Sequence, residues 1–288
     1  MMNHGSKKME DIYNTLAKSK NDEPGDYLDN EGFLMCVNCN TRKQSEHPNP
    51  STRQPEKVTI KCKCRTEEYD RQLEDTKRFN FEMKVEQLRR DGLSDSEYSK
   101  WTFDKDDNRY PSISNACEKY VAEWETMKAD NVGLLFYGSV GVGKTFHACC
   151  IANALLDKCV TVLVTSFPRI LNKIQSAGWN ENRSEFIDKL QLYDLLIIDD
   201  LGVERSTDFA LEQVFNVIDT RYRSGKPLII TTNLSPSDII KPENINYERV
   251  YDRIAQNSLP IKMTGESRRK EIAAQKRERY QGFLGLDG

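Results

Sequence analysis

The sequence predicts an α/β fold with a mostly parallel sheet covered by helices on both faces. Three observations carry that expectation. Gly138-Ser139-Val140-Gly141-Val142-Gly143-Lys144-Thr145 matches G-x-x-x-x-G-K-[ST], between a strand-length apolar run (132–137) and an apolar stretch at helical spacing, Phe146 to Lys158. From Tyr110 onward, apolar runs of strand length alternate with amphipathic segments, the pattern of a parallel sheet with crossover helices. One of those runs, Leu195-Leu196-Ile197-Ile198, ends in the acidic pair Asp199-Asp200.

The elements follow in order. Ser114 is placed to cap a helix carrying Cys117, Val121 and Trp124 on one face. Strands are expected near Leu134–Tyr137, Val160–Thr165, Leu195–Ile198, Leu228–Thr232 and Leu259–Met263. The clearest helix is Thr207–Arg223, with Phe209, Val214, Ile218 and Tyr222 along one side and Gly225 after it. Cys149, Cys150 and Cys159 fall on or beside the helix after the glycine loop and read as packing residues.

The glycine loop carries the chemistry. Gly138, Gly141 and Gly143 let the backbone approach a phosphate closely, and successive N–H groups make an anion nest at a helix N-terminus. Lys144 would reach the β- and γ-phosphates, and Thr145 would offer its hydroxyl to Mg²⁺. Asp199-Asp200 at a strand end is the Walker B arrangement, with Asp199 holding Mg²⁺ and Asp200 orienting or deprotonating the attacking water. Glu204 is the alternative base. Ile229-Ile230-Thr231-Thr232-Asn233 ends a strand in an amide, the sensor 1 arrangement of AAA+ ATPases. Arg249 and Arg253 share a helix face at i, i+4, and either serves as an arginine finger or bridges Glu248 and Asp252 at the surface. Gly265 to Lys270 opens a basic C-terminal helix; Arg268 or Arg269 would act as sensor 2 or touch DNA phosphates.

Composition bounds the rest. The chain has 288 residues, a formal net charge of −3, and 38% hydrophobic and 30% charged residues, which excludes an overall polycation. No apolar run approaches the roughly 18 residues of a membrane span, and Met1 to Lys20 has no signal-peptide core. A cytoplasmic protein without membrane contact is expected, so its eight cysteines read as thiols or metal ligands rather than disulfides.

The N-terminal part has its own signal. Residues 1–29 read as a mobile tail or a weak helix around Ile12, Tyr13 and Leu16. Cys36-Val37-Asn38-Cys39 and Cys62-Lys63-Cys64 are two tight pairs that can supply a closed tetrahedral zinc site, with His47 a lesser candidate. The polar segment between them has no core of its own and would take its folding free energy from the metal. Thr66 is placed to cap a charged helix to Arg90, ended by Asp91-Gly92, and Ser94-x-x-Glu97 reads as a capping box. That helix either bridges two modules or forms a partner-binding arm.

GSVGVGKT, LLIIDDLG, ITTN, ERVYDRI and GESRRK, in that order from about Ser94 to Gln275, resemble the DnaC-like helicase loaders of bacteria and phages and the related IstB-like transposition ATPases. The cysteine knuckle before a charged helix is similar to phage and Gram-positive loaders. The resemblance implies ATP/ADP and Mg²⁺ held by the glycine loop, Asp199 and Asp200, with Asn233 as sensor 1, Arg253 as the preferred finger and Arg269 as the preferred sensor 2. It implies a partner helicase of the replicative DnaB type, held by the zinc region. It also implies single-stranded DNA and self-association through the ATPase domain, with slow hydrolysis as the switch. Arg169 and Lys173, after the second strand, are its DNA-facing candidates. Aspartate at the second Walker B position and the short segment after Asn233 depart from the pattern; the latter argues against a full helical lid. The expected organisation is a tail (1–30), a zinc-binding and helical region (31–103) and an AAA+ domain (104–288). The rival reading is an IstB-like helper on double-stranded DNA, or a non-hydrolysing ATP-gated adaptor.

Overall fold

A computed structural model describes residues 24–176, 182–202, 207–235 and 245–284. It falls into two compact units divided between Glu82 and Met83, within helix α1 (Lys63–Gly92). Among the described residues no helix is long and apolar enough to cross a membrane. The expected helix near Ile12 and the alternative base Glu204 lie outside the described residues.

In the first unit, β1 (Tyr27–Leu28) pairs antiparallel with β2 (Leu34–Met35). The polar stretch between the cysteine pairs, read from sequence as lacking a core, forms an antiparallel hairpin of β3 (Gln44–Pro48) and β4 (Pro55–Thr59). Its apolar burial is small. Phe33 is buried under the Arg42 guanidinium and the Lys57 ammonium, each 4.3 Å from the ring centre. A buried ion pair, Lys43 Nζ to Asp26 Oδ2 at 2.5 Å, fixes the base of the hairpin. Helix α1 opens at Lys63 rather than at Thr66, so Cys64 occupies its first turn, and the Thr66 hydroxyl donates back to Cys62 O at 3.1 Å.

The second unit is the α/β body. A five-stranded all-parallel sheet has the order β6-β7-β8-β5-β9. Its strands are β5 (Gly133–Gly138), β6 (Val162–Ser166), β7 (Leu195–Leu201), β8 (Leu228–Thr232) and β9 (Ser258–Met263). Both faces are covered, because alternate residues point to opposite sides. Leu134, Phe136, Leu195, Ile197 and Ile229 meet α2 (Pro111–Ala122), α3 (Trp124–Ala129) and α4 (Lys144–Leu156). Leu135, Leu196, Ile198 and Ile230 meet the other layer: α5 (Phe167–Ser176), α6 (Asn182–Leu190), α7 (Asp208–Arg223) and α8 (Ile245–Asn257). After β9 comes α9 (Arg268–Leu284), the one helix beyond that strand among the described residues. Trp101 and Phe103 pack on the α2–α4 side of the core.

Three local expectations are corrected. Gly92 is helical and has no left-handed φ; it is needed because a Cβ there would lie 2.0 Å from Val162 O. Ser94 forms no capping box: a 3₁₀ turn starts only at Tyr98, and the Asp95 carboxylate accepts from Glu97 N instead. Ser114 lies inside α2, where Pro111 takes the first turn and the Ser114 hydroxyl binds the Asp106 carboxylate.

Candidate functional site

The glycine loop joins β5 to α4 at the carboxyl edge of the sheet, where ligands of open α/β sheets gather. Gly143 caps α4 at φ +107°, and a Cβ there would stand 2.2 Å from an Arg268 guanidinium nitrogen. Gly141 O accepts from Arg268 N at 2.9 Å, so the turn into α9 closes over the loop. Ser139 N donates to Met263 O at 3.0 Å, Val142 is buried, and Val140 is exposed at the rim. A pocket of about 300 Å³ opens here, lined by Lys144, Thr145, Asp200, Asn233, Arg269, Trp101, Phe146 and Ile272.

The predicted residues converge. Lys144 Nζ donates to Gly138 O (3.0 Å), Ser139 O (2.7 Å) and Asn233 Oδ1 (2.7 Å). Thr145 Oγ1 donates to Asp199 Oδ1 at 2.7 Å. Burial holds the Lys144 ammonium below its ordinary pKa and raises that of the Asp199 carboxyl. A hydroxyl beside a carboxylate is a hard oxygen donor set that fits Mg²⁺.

Sequence reasoning missed three features. A register break in the β7–β8 ladder sets Asp199 and Asp200 against Thr231, with Asp200 at φ +55°. Thr231 Oγ1 donates to Asp199 Oδ1 at 2.6 Å and accepts from Asp200 N at 2.9 Å, holding Asp199 inward while Asp200 lines the pocket. Thr231 stood in the quoted ITTN string, but only the pairing of β7 with β8 reveals its role. Second, His147 is fully buried behind the loop. A carbonyl only accepts, so Nδ1–H donates to Gly143 O at 2.9 Å, and Nε2 faces Ser114 Oγ at 3.3 Å. Burial lowers its pKa. Third, Arg268 is bound by Asp107 at the pocket wall and Arg109 makes a bidentate pair with Glu271 (2.9 and 2.7 Å), tying 106–109 to α9.

The arginine candidates separate. Arg253 Nε donates to Asp219 Oδ1 at 2.8 Å and its guanidinium lies 4.9 Å from the Phe215 ring centre, so it is engaged within its own chain. Arg249 is exposed. Arg269 is exposed and lines the pocket, whereas Arg268 is occupied by Asp107. Arg169 binds Ser94 O, and Lys173 lies 5.8 Å from the Phe186 ring centre.

In the first unit the sulfurs of Cys36, Cys39, Cys62 and Cys64 all lie within 4.8 Å of one another. Zinc–sulfur bonds of about 2.3 Å in a tetrahedron require sulfurs about 3.8 Å apart. Cys36–Cys64 at 3.6 Å and Cys62–Cys64 at 3.3 Å are near that spacing. Hydrogen bonds from Thr41 and the Cys64 amide pull the Cys39 thiol down to about 6, while Cys62 and Cys36 push that of Cys64 up to about 12. Four sulfurs this close resist holding several negative charges unless a cation offsets them, so the donor set fits zinc. His47, exposed on β3, is not among the clustered ligand atoms.

Fold and pocket define a P-loop nucleotide-binding protein of the AAA+ type. The chain belongs to the family of IstB-like ATP binding proteins, whose model matches residues 68–276. It is 27% identical over 147 residues to the replicative helicase loader DnaI of Bacillus subtilis (strain 168), covering 48% of this chain and 47% of that protein. It is 28% identical over 161 residues to the replicative helicase loader DnaC of Escherichia coli (strain K12), covering 55% and 64%. The chain thus spans about half to two-thirds of these relatives. A crystal structure of DnaI superposes with a TM-score of 0.47 at 27% identity, covering 56% of this chain and 87% of that one.

Proposed function

We propose that this protein is an ATP-dependent DNA replication factor that binds a replicative hexameric helicase of the DnaB type and loads it onto single-stranded DNA. The observation that carries the reading is the four-cysteine cluster ahead of the nucleotide-binding unit. A zinc-stapled module suits a dedicated partner-binding region, and these cysteines precede residues 68–276, the part that the IstB-like model matches. The likeness to proteins named as helicase loaders supports it further.

In this reading the first unit, which carries the four cysteines, holds the helicase, and the second unit is the switch. The loop N–H groups and Lys144 bind the phosphates, while Thr145 and Asp199 hold Mg²⁺, whose charge would offset that of the β- and γ-phosphates. Asp200 accepts the proton of the attacking water and Asn233 orients it. Arg269 reaches the nucleotide in its own chain. The finger offered to a neighbouring copy is Arg249, because Arg253 is engaged by Asp219. Hydrolysis is slow and releases the loader in the cytoplasm.

The test is capture of the host's replicative helicase on this protein with ATP, with ADP, and after zinc chelation. Capture that needs the zinc region and changes with nucleotide is expected. No capture in any state would overturn the reading. The IstB-like family match favours one alternative, a transposition ATPase on double-stranded DNA, which predicts tighter binding to duplex than to single strands.

A further inference from the structure

Helix α9 carries six Lys or Arg against two Glu and buries none of its residues. At 3.6 residues per turn, Arg269, Ile272, Lys276, Arg279, Tyr280 and Phe283 fall within an arc of about 100°. Both acids, Glu271 and Glu278, lie well off that arc, and Glu271 is neutralised by Arg109. Ile272 is 52%, Tyr280 48% and Phe283 82% exposed, so large apolar groups and cations share one uncovered face. The stripe starts at the nucleotide pocket, which Arg269 and Ile272 line, and runs outward about 21 Å at 1.5 Å per residue.

We propose that this face of α9 is a binding track for single-stranded nucleic acid, with Lys276 and Arg279 on the phosphates and Tyr280 and Phe283 stacking on bases. This rests on the reading that the chain works on single-stranded DNA, and it moves the contact from Arg169 and Lys173 to α9.

Charge complementarity selects a polyanion. Two features choose among polyanions. A helix that lies on an anionic membrane separates its apolar face from its cationic one; here the two kinds of residue interleave on one arc. Double-stranded DNA offers phosphates but no free base faces, whereas unpaired bases stack on exposed rings in positively charged grooves. Because the stripe begins at Arg269, nucleotide in the pocket and the strand on α9 are read by adjacent turns of one helix. Strand affinity is therefore expected to differ between ATP and ADP.

The test measures fluorescence anisotropy of labelled oligothymidylate with the full chain in ATP and in ADP. Lys276→Glu/Arg279→Glu should weaken binding at least tenfold and flatten the salt dependence by about 1.4 in log–log slope, as loss of two phosphate contacts requires. Tyr280→Ala/Phe283→Ala should weaken it about tenfold with the slope unchanged. Lys270→Glu/Arg277→Glu, the same charge change off the stripe, should stay within threefold. All these side chains are exposed, and unchanged thermal midpoints will confirm that the variants fold. Equal losses for both charge-reversed pairs would reduce the effect to bulk charge and overturn the proposal. So would tighter binding to duplex or to phosphatidylserine vesicles, or a loss seen only in Arg169→Glu/Lys173→Glu. Helicase capture, measured on the same variants, separates this proposal from the loader reading. Intact capture with no strand binding by the parent protein sinks the track alone.

Discussion

Lys144 Nζ donates a 2.7 Å hydrogen bond to Asn233 Oδ1 across 89 positions of sequence. Parallel pairing of β5 with β8, Tyr137 opposite Thr232, brings the two ends together. The cation that would meet the phosphates is thus held by the amide that would orient the water. Lys144→Ala should abolish ATP binding, at least a hundredfold in Kd by calorimetry. Asn233→Ala should bind ATP within a few fold but lose turnover by roughly 10- to 100-fold in phosphate release, since it removes one positioned polar group. Equal losses of binding in both variants would place Asn233 in binding instead.

Asp199 gives a prediction of opposite signs for stability and function. Burial raises its folded pKa above the ordinary 3.8, so its ionised form costs stability as pH rises through that folded value. Asp199→Asn keeps an oxygen for the Thr145 and Thr231 hydroxyls and removes the charge. Its thermal midpoint should exceed that of the parent at pH 7, the difference closing below pH 3.8, while Mg²⁺-dependent ATP hydrolysis is lost. Calorimetric scans against pH check both ends.

His147 titrates with the usual sign for a buried neutral imidazole. Its folded pKa lies below 6.5, so the stability it allows is present above pH 6.5 and falls as pH drops toward the folded value. The groups that face it are Ser114, Asp106, Asp107, Arg268 and the Gly143 carbonyl. His147→Gln should flatten the fall in stability that the parent shows as pH drops below 6.5. Denaturant midpoints across that window measure it.

Arg249 and Arg253 should behave differently. Arg253→Ala removes the Asp219 pair and the Phe215 contact and should destabilise the fold by about 1–2 kcal/mol. Arg249→Ala should leave the thermal midpoint unchanged while lowering turnover at concentrations where copies associate. Turnover against concentration, read beside the melting curves, distinguishes a fold effect from a finger.

Chelation should act on the first unit alone. Among its described residues only a few side chains are buried, and the four sulfurs supply further constraint. Removing zinc, or Cys62→Ser, should open 24–62 to protease while the nucleotide unit keeps its melting transition. About one zinc per chain should be lost, measured by emission spectroscopy. A protease pattern unchanged by chelation would contradict a structural metal.

The sequence by itself determined the five sheet strands, the glycine loop with Lys144 and Thr145, the strand-end Asp199, and the cysteine set. These are local signals: an apolar run of strand length, a fixed glycine spacing, two tight cysteine pairs. Tertiary structure decided what depends on which distant chain segment lies alongside. The break in the β7–β8 register makes Thr231 the partner of both aspartates. The packing of α7 on α8 takes Arg253 for Asp219. The approach of Val162 O requires Gly92, and His147 is buried behind the glycine loop, facing Ser114 and Asp106. Periodicity along one chain reports which face of an element is apolar. It carries no information about register between elements, and register sets which polar atoms end up within 3 Å of each other.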